Sequence, residues 1–400
     1  MKKVIFILAV FFIMTLESRA QKQAGNDDLI KIDVTKTNYP KEELILQDFT
    51  DVEYIPLETT DDFVNEGLVQ DIGNKFIIVT NGKTRNGDIF IYSRTGRALR
   101  KINRKGLSGE EYTGFLRIIL DEDKNEIYVN DILKGKILVY NLSGKFKRSF
   151  PYKGDGDGRY YTDMFNYDKD HLICYDEYNK TGSFFLIFKQ DGSIYKEIKI
   201  PFKKKLLLRQ IIYEPGIKDA TTKSYSVSSH IVTPGNQSRI TSYNGNRMLS
   251  EISSDTIYGF MPDSGLRPFL VRTPPIQSMN PEVFLILNCF YDRYIFMEAI
   301  KNVYDWNAKE GFPSTFIMYD KQKKSFSRYI VYSGDYSTKK EIYLNSLKTD
   351  NYQIGSWRSL EAYQLVDDYK KGILKGKLKE IASKLKEDDN PVIMLIKQKK

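Results

Sequence analysis

Histidine is nearly absent from this 400-residue chain, which carries only His171 and His230. Metal centres and acid–base sites built on imidazole therefore have little to draw on. His171 follows Asp168-Lys169-Asp170, ordinary turn chemistry, and His230 follows a Ser/Thr-rich stretch. A Ser–His–Asp triad stays open, because its members need not be adjacent in sequence, but no nucleophile-elbow motif supports one. A tyrosine or lysine base also stays open. The sequence thus nominates no catalytic residue, no metal ligand and no cofactor.

Cysteine is equally scarce. Cys174 and Cys289 lie far apart, each inside an apolar run (Leu-Ile-Cys-Tyr and Leu-Asn-Cys-Phe). Both read as small buried core residues, and a disulfide needs a proximity that sequence cannot supply. The N-terminal apolar run, Val4 to Leu16, is too short for a comfortable transmembrane helix. Lys2 and Lys3 precede it, and Ser18-Arg19-Ala20 follows as a small-x-small cleavage site. Residues 1–20 are expected to be a signal peptide, and no transmembrane segment is expected after its cleavage. No cysteine lies near the cleavage point, so a lipoprotein is not expected. The mature chain, 21–400, is expected in the periplasm, secreted, or at the cell envelope.

The net charge is +9. Removing the leader's three basic residues and one acidic residue leaves +7. The lysines are dispersed among nearly as many acids and form no nucleic-acid-reading motif. No nucleic-acid partner is expected, although the charge favours an anionic one. Aromatic content is 13%, with 28 Tyr and 23 Phe, which suits half-buried strands.

One strand–turn–strand phrase recurs three times at a pitch of 48 residues. It runs Ile89-Phe90-Ile91-Tyr92-Ser93-Arg94-Thr95-Gly96, and the second copy is Ile137-Leu138-Val139-Tyr140-Asn141-Leu142-Ser143-Gly144. The third copy is Phe185-Leu186-Ile187-Phe188-Lys189-Gln190-Asp191-Gly192. A repeat of this length built from short strands signals a propeller blade. Each copy resolves into four strands, as in Phe115–Leu120, Glu126–Val129, Lys136–Tyr140 and Lys145–Phe150. The glycine before the last strand accepts the positive φ of a three-residue hairpin with a bulge.

Three further units are weaker. Asp255 to Phe260 and Leu266 to Val271 read as the outer hairpin of a fourth, and Val283 to Val331 as a fifth. Asp51–Leu57 and Asn390–Ile396 are strands without sequence neighbours, and pairing them completes a sixth blade and closes the ring. Lys203 to Asn244 reads as a surface excursion mixed with strands. Leu374, Leu378, Ile381 and Leu385 form one apolar stripe, predicting a single amphipathic helix over about 360–387 packed on the propeller. The closing strand falls at about 390–398. The fold expected is all-β: one six-bladed β-propeller of four-stranded blades, closed by N- and C-terminal strands.

Several phrases together resemble a known family. They are Glu53-Tyr54-Ile55-Pro56-Leu57-Glu58-Thr59, the loop Arg104-Lys105-Gly106-Leu107-Ser108-Gly109-Glu110-Glu111-Tyr112, Asp255-Thr256-Ile257-Tyr258, and Asn390-Pro391-Val392-Ile393-Met394. On these the chain resembles the exported six-bladed β-propeller proteins of Bacteroidetes, related to NHL-repeat propellers. The resemblance implies a binding protein of the cell envelope and supplies no catalytic residues.

Gly154-Asp155-Gly156-Asp157-Gly158 looks like a cation loop, but Arg159 stands where a third oxygen ligand belongs. Gly154 and Tyr160 lie 48 residues after Gly106 and Tyr112, so the segment is a second copy of the blade-to-blade loop. Such loops and the turns between second and third strands emerge on one propeller face. That face is expected to carry Arg85, Arg104, Lys105, Glu111, Tyr112, Lys134, Lys153, Arg159 and Tyr160, a set suited to a glycan, peptide or envelope-protein partner. The functional expectation is a monomeric binding or interaction module. The alternative is a propeller enzyme, a lyase or hydrolase acting on polysaccharide or peptide.

Overall fold

A computed structural model describes residues 29–82, 86–152, 161–213, 217–218, 225–226, 229–235, 237–243, 245–261, 265–344 and 354–399. The expected signal peptide, and the loop from Lys153 to Tyr160, lie outside these residues.

Strand-forming runs of Ile, Val, Tyr and Phe fold into six antiparallel blades around a ring. The first has strands Leu68–Ile72, Phe76–Thr80, Asp88–Ser93 and Ala98–Asn103. The second has Arg117–Asp121, Glu126–Asp131, Lys136–Asn141 and Phe146–Pro151. The third has Asp163–Asn166, His171–Tyr175, Ser183–Phe188 and Ile194–Lys199. Burial falls from the inside out. In the second blade the first two strands are wholly buried, while the outermost alternates exposed positions with half-buried ones and one buried residue, Phe150. The apolar core lies between blades: Ile78, Ile89 and Ile91 of the first pack against Ile118, Ile127 and Val129 of the second.

The repeated hairpin has the expected bulge. Register shifts fall at Ile91/Tyr92, Val139/Tyr140 and Leu186/Ile187. Gly96, Gly144 and Gly192 adopt φ of +83°, +81° and +72°. Each also abuts the outer strand of the preceding blade. A Cβ on Gly96 would stand 2.0 Å from the Pro56 carbonyl oxygen, and one on Gly192 2.3 Å from the Phe150 ring. The glycines thus serve both the turn and the stacking of blades.

The fourth and fifth blades differ from the simple meander. The fourth uses Ile240–Tyr243, Asn246–Leu249, Thr256–Met261 and Gly265–Thr273, so its inner pair begins inside the stretch that sequence left irregular. Its outer edge takes a fifth, parallel strand, Ile30–Asp33. The fifth blade uses Val283–Phe290, Tyr294–Lys301, Ser314–Asp320 and Ser325–Tyr332, and Lys41–Ile45 adds in parallel to its edge. The N-terminal segment therefore straps two blades before entering the sixth. Two further hairpins rise from connections: Gln210–Tyr213 paired with Ser229–Val232, and Tyr304–Asp305 paired with Glu310–Gly311.

The sixth blade joins the two ends of the chain. Val392–Gln398 lies between Thr50–Pro56 and Ile354–Leu360, with Ile55 opposite Ile393. Three strands of this blade are described. The single helix expected over about 360–387 is instead two, Ala362–Lys370 and Gly376–Ala382. The break falls at Gly372, at φ +70°, where the Gly372 N–H closes on the Tyr369 carbonyl. Leu374 and Leu378 are buried there with Leu365, Tyr336 and Val392, so the apolar stripe packs on the propeller. Among the described residues no helix is long and apolar enough to cross a membrane. Cys174 and Cys289 are buried in separate blades and free.

Ion pairs tie strands and blades together. Burial would raise the Glu126 carboxyl, but Arg148, Tyr128 and Lys147 outweigh it and hold its pKa at about 2. Arg148 donates to both Glu126 oxygens (2.9 and 2.8 Å) and to the Lys189 carbonyl of the next blade. Because the folded pKa lies below the unfolded value of 4.5, this contribution is present above pH 4.5. It is lost as pH falls from there toward 2. Glu126→Gln is expected to destabilise at pH 7, and its deficit relative to wild type should shrink as acid protonates Glu126. Denaturant unfolding of both proteins at pH 7, 4 and 2.5 measures this. A gap constant with pH would contradict it.

Candidate functional site

The blade-to-blade loop after the first blade is held by its own polar groups. Tyr112 is buried, donates to the Gly87 carbonyl (2.6 Å) and accepts from the Arg104 N–H (2.9 Å). Burial pushes its phenol up to about 12. Lys134 donates to the Gly106, Ser108 and Glu111 carbonyls at 3.3, 2.8 and 2.6 Å. The Glu111 carboxylate accepts from the Ser108 N–H at 3.0 Å, and those donors hold it below the usual carboxylate range. Arg104 is exposed and its Nε donates to the Gly144 carbonyl of the next blade's outer hairpin, away from the ring axis. Lys105 is exposed beside it. The structure thus gathers Arg104, Lys105, Glu111, Tyr112 and Lys134 into one loop assembly. Arg85, Lys153, Arg159 and Tyr160 lie outside the described residues.

None of those five residues lines the central cavity, which has a volume of about 800 Å³. Its mouth is set by the leading ends of inner strands, with Leu68 and Val69, Leu116 and Arg117, and Pro234, Gly235 and Gln237 ahead of the fourth blade. Asn288, Glu298 and Phe316 reach it from the fifth blade, and Trp357, Arg358 and Ser359 from the sixth. Side chains from widely separated positions therefore converge on one concavity, the usual arrangement of a ligand site.

Arg117 is buried. Its Nε donates to the Met164 carbonyl (2.7 Å) and its guanidinium lies 4.4 Å from the Phe165 ring centroid, so the third blade fixes its position. Burial lowers the Arg358 pKa, against smaller opposing effects of Cys289, Tyr343 and Tyr329. Burial raises Glu298, with a hydrogen bond from Ser314 opposing. The Gln237 Oε1 and Ser359 Oγ atoms are buried and have no hydrogen-bond partner. Phe316 stands 5.8 Å from Tyr343, which also reaches the cavity. The lining combines two guanidinium groups, one carboxyl, amides and exposed aromatic faces. No group of three or more metal-ligating side chains occurs among the described residues.

Sequence reasoning missed this lining because it looked for a site in loops. The available signal was a charge inside an inner strand. Arg117 interrupts the apolar Phe115–Leu120 run, Glu298 sits in Tyr-Ile-Phe-Met-Glu-Ala-Ile, and Trp357-Arg358 occupies the first described strand of the sixth blade.

These features define a six-bladed β-propeller with a polar, aromatic-walled channel. Residues 29–397 match the family described as a domain of unknown function, DUF4934, and the chain belongs to that family. The protein BF0058 of Bacteroides fragilis NCTC 9343, described as exported, is 16% identical. It superposes at a TM-score of 0.55 over 90% of this chain and 99% of its own. At that identity the likeness is one of fold. A member of the DUF4221 family from Bacteroides vulgatus ATCC 8482 gives a TM-score of 0.47 at 11% identity, covering 87% of this chain and 97% of its own. BamB from Moraxella catarrhalis gives 0.40 at 9%, covering 87% and 99%. No curated protein matches the sequence.

Proposed function

We propose that this protein is an exported binding module of the cell envelope whose ligand enters the central channel. The observation that carries the reading is the convergence of Arg117, Gln237, Asn288, Glu298, Trp357 and Arg358 on one 800 Å³ cavity. Export rests on the leader read in residues 1–20. It also draws support from the description of BF0058 as exported. The exposed Arg104 and Lys105 of the blade-to-blade loop enter the reading as outer rim, where charge speeds encounter more than it adds affinity.

Binding is favoured over glycoside hydrolysis by the lining itself. It contributes one carboxyl and no histidine among the described residues, whereas glycoside hydrolysis ordinarily needs two carboxylates. The reading is tested by screening glycans and peptides against the mature protein, then repeating the strongest hit with Trp357→Leu. Loss of a stacking face is expected to weaken binding about tenfold. Arg104→Ala should change it less than threefold. Undiminished affinity in Trp357→Leu, with its native circular dichroism retained, would move the ligand off the channel. Turnover of the hit by wild type would replace binding with catalysis.

A further inference from the structure

The composition of the channel lining narrows the ligand beyond a general polar molecule. Two of its residues, Arg117 and Arg358, carry guanidinium groups, and one, Glu298, a carboxyl. Two guanidinium groups against one carboxyl leave the lining net positive. A guanidinium in a partly dehydrated cavity is matched best by a planar carboxylate, which its fork of donors engages side by side. Gln237 and Ser359 add an amide and a hydroxyl to the wall. Asn288 adds an amide that both donates and accepts. Trp357 and Tyr343 present flat apolar surface beside these groups.

A ligand that meets all of this carries an anion, several hydroxyl groups and an apolar ring face. An acidic peptide meets the first requirement but offers few hydroxyls. A neutral sugar meets the second and third and offers no planar anion to a guanidinium fork. We propose that the channel binds an acidic sugar, a hexuronic acid residue of a glycan, with its carboxylate toward Arg358 and its ring against Trp357. This rests on the channel being the ligand site.

The chain has only two tryptophans, Trp306 and Trp357. In a Trp306→Phe protein, tryptophan fluorescence therefore reports on the channel alone. That protein is titrated with trigalacturonate, maltotriose and triglutamate. Trigalacturonate is expected to give a saturable change in Trp357 emission. Its affinity should fall at least tenfold in Arg358→Gln, and several-fold between 50 and 500 mM salt without any substitution, as screening requires. The salt series keeps the test independent of whether Arg358→Gln folds. Maltotriose and triglutamate should bind at least tenfold more weakly. Equal binding of maltotriose, or an affinity that ignores both salt and Arg358, would overturn the charge argument while leaving the channel as a binding site. Preference for triglutamate would overturn the sugar argument in the same way. A silent Trp357 with all three probes would overturn the proposal outright. Whether the channel binds anything is decided separately, by the Trp357→Leu comparison on the screened ligand.

Discussion

Ending the chain at Pro391 is expected to abolish cooperative folding. The lost strand, Val392–Gln398, is central in its sheet, paired with Thr50–Pro56 on one side and Ile354–Leu360 on the other. Its removal opens two strand edges and breaks the ring at the point where the termini meet. Val392, Ile393, Met394, Leu395 and Ile396 are each at most 1% exposed. Burying such side chains contributes roughly 1.5–3 kcal/mol apiece. Five of them therefore approach the entire net stability of a typical domain, about 5–15 kcal/mol. They also belong to three clusters: Ile393 and Leu395 pack with the first blade, Met394 and Ile396 with the fifth, and Val392 with the helices. The truncated chain should lack a sigmoidal thermal transition in circular dichroism and should aggregate. Removing only Lys399 and Lys400 should cost little, since Lys399 contributes two exposed bonds, to the Gln47 and Asp48 carbonyls. A truncation at Pro391 that melts cooperatively within a few degrees of wild type would show that the ring closes without its terminal strand.

The parts of this fold that sequence reveals are those where one local requirement recurs. The 48-residue spacing of Gly96, Gly144 and Gly192 is visible because each copy needs a positive φ and an empty Cβ position against its neighbour. The pairing of Ile55 with Ile393 follows from two orphan strands that the ring must use. What sequence hides is settled far away along the chain. Ile30–Asp33 and Lys41–Ile45 are short, and each becomes a strand by pairing in parallel with an edge more than 200 residues distant. Ile240–Tyr243 and Asn246–Leu249 are too polar to stand out. Their burial depends on partners such as Asp163, which accepts from Ser238 Oγ and the Arg239 N–H at 2.5 and 2.8 Å. The helical stripe was legible and its interruption at Gly372 was not, because helix-forming sequence continues on both sides. The candidate site divides in the same way. The polar residues of the blade-to-blade loop draw the eye, yet Lys134, Glu111 and Tyr112 are occupied in holding that loop. The channel is lined by residues that look like strand interior until six blades place them around one axis.

The second large effect is expected at Asn390, the residue that bolts the closing strand to the first blade. Its side chain is 2% exposed. The Nδ2 group donates to the Glu58 carbonyl at 2.9 Å and the Phe63 carbonyl at 2.6 Å, with the Tyr92 hydroxyl at 3.3 Å. The Oδ1 atom accepts from the Asn65 N–H at 2.9 Å. One amide thus satisfies both directions of hydrogen bonding in the connection between the sixth and first blades. Asn390→Ala strands two carbonyls and one N–H, at about 1–3 kcal/mol for each buried group left unpaired. The melting temperature should fall on the order of 5–10 °C. Asn390→Asp preserves shape and the acceptor for Asn65, but turns an anion toward the Glu58 and Phe63 carbonyls. It should be the more damaging of the two at pH 7. Those carbonyls favour the protonated acid, so the folded pKa of the introduced carboxyl should lie above its unfolded value. Its deficit relative to wild type should then shrink as pH falls through that folded pKa toward the unfolded one. Asn390→Ala should show no such pH trend, which separates lost hydrogen bonds from introduced charge. Equal melting temperatures for wild type and Asn390→Asp at pH 7 would mean that the amide does not hold the two blades together.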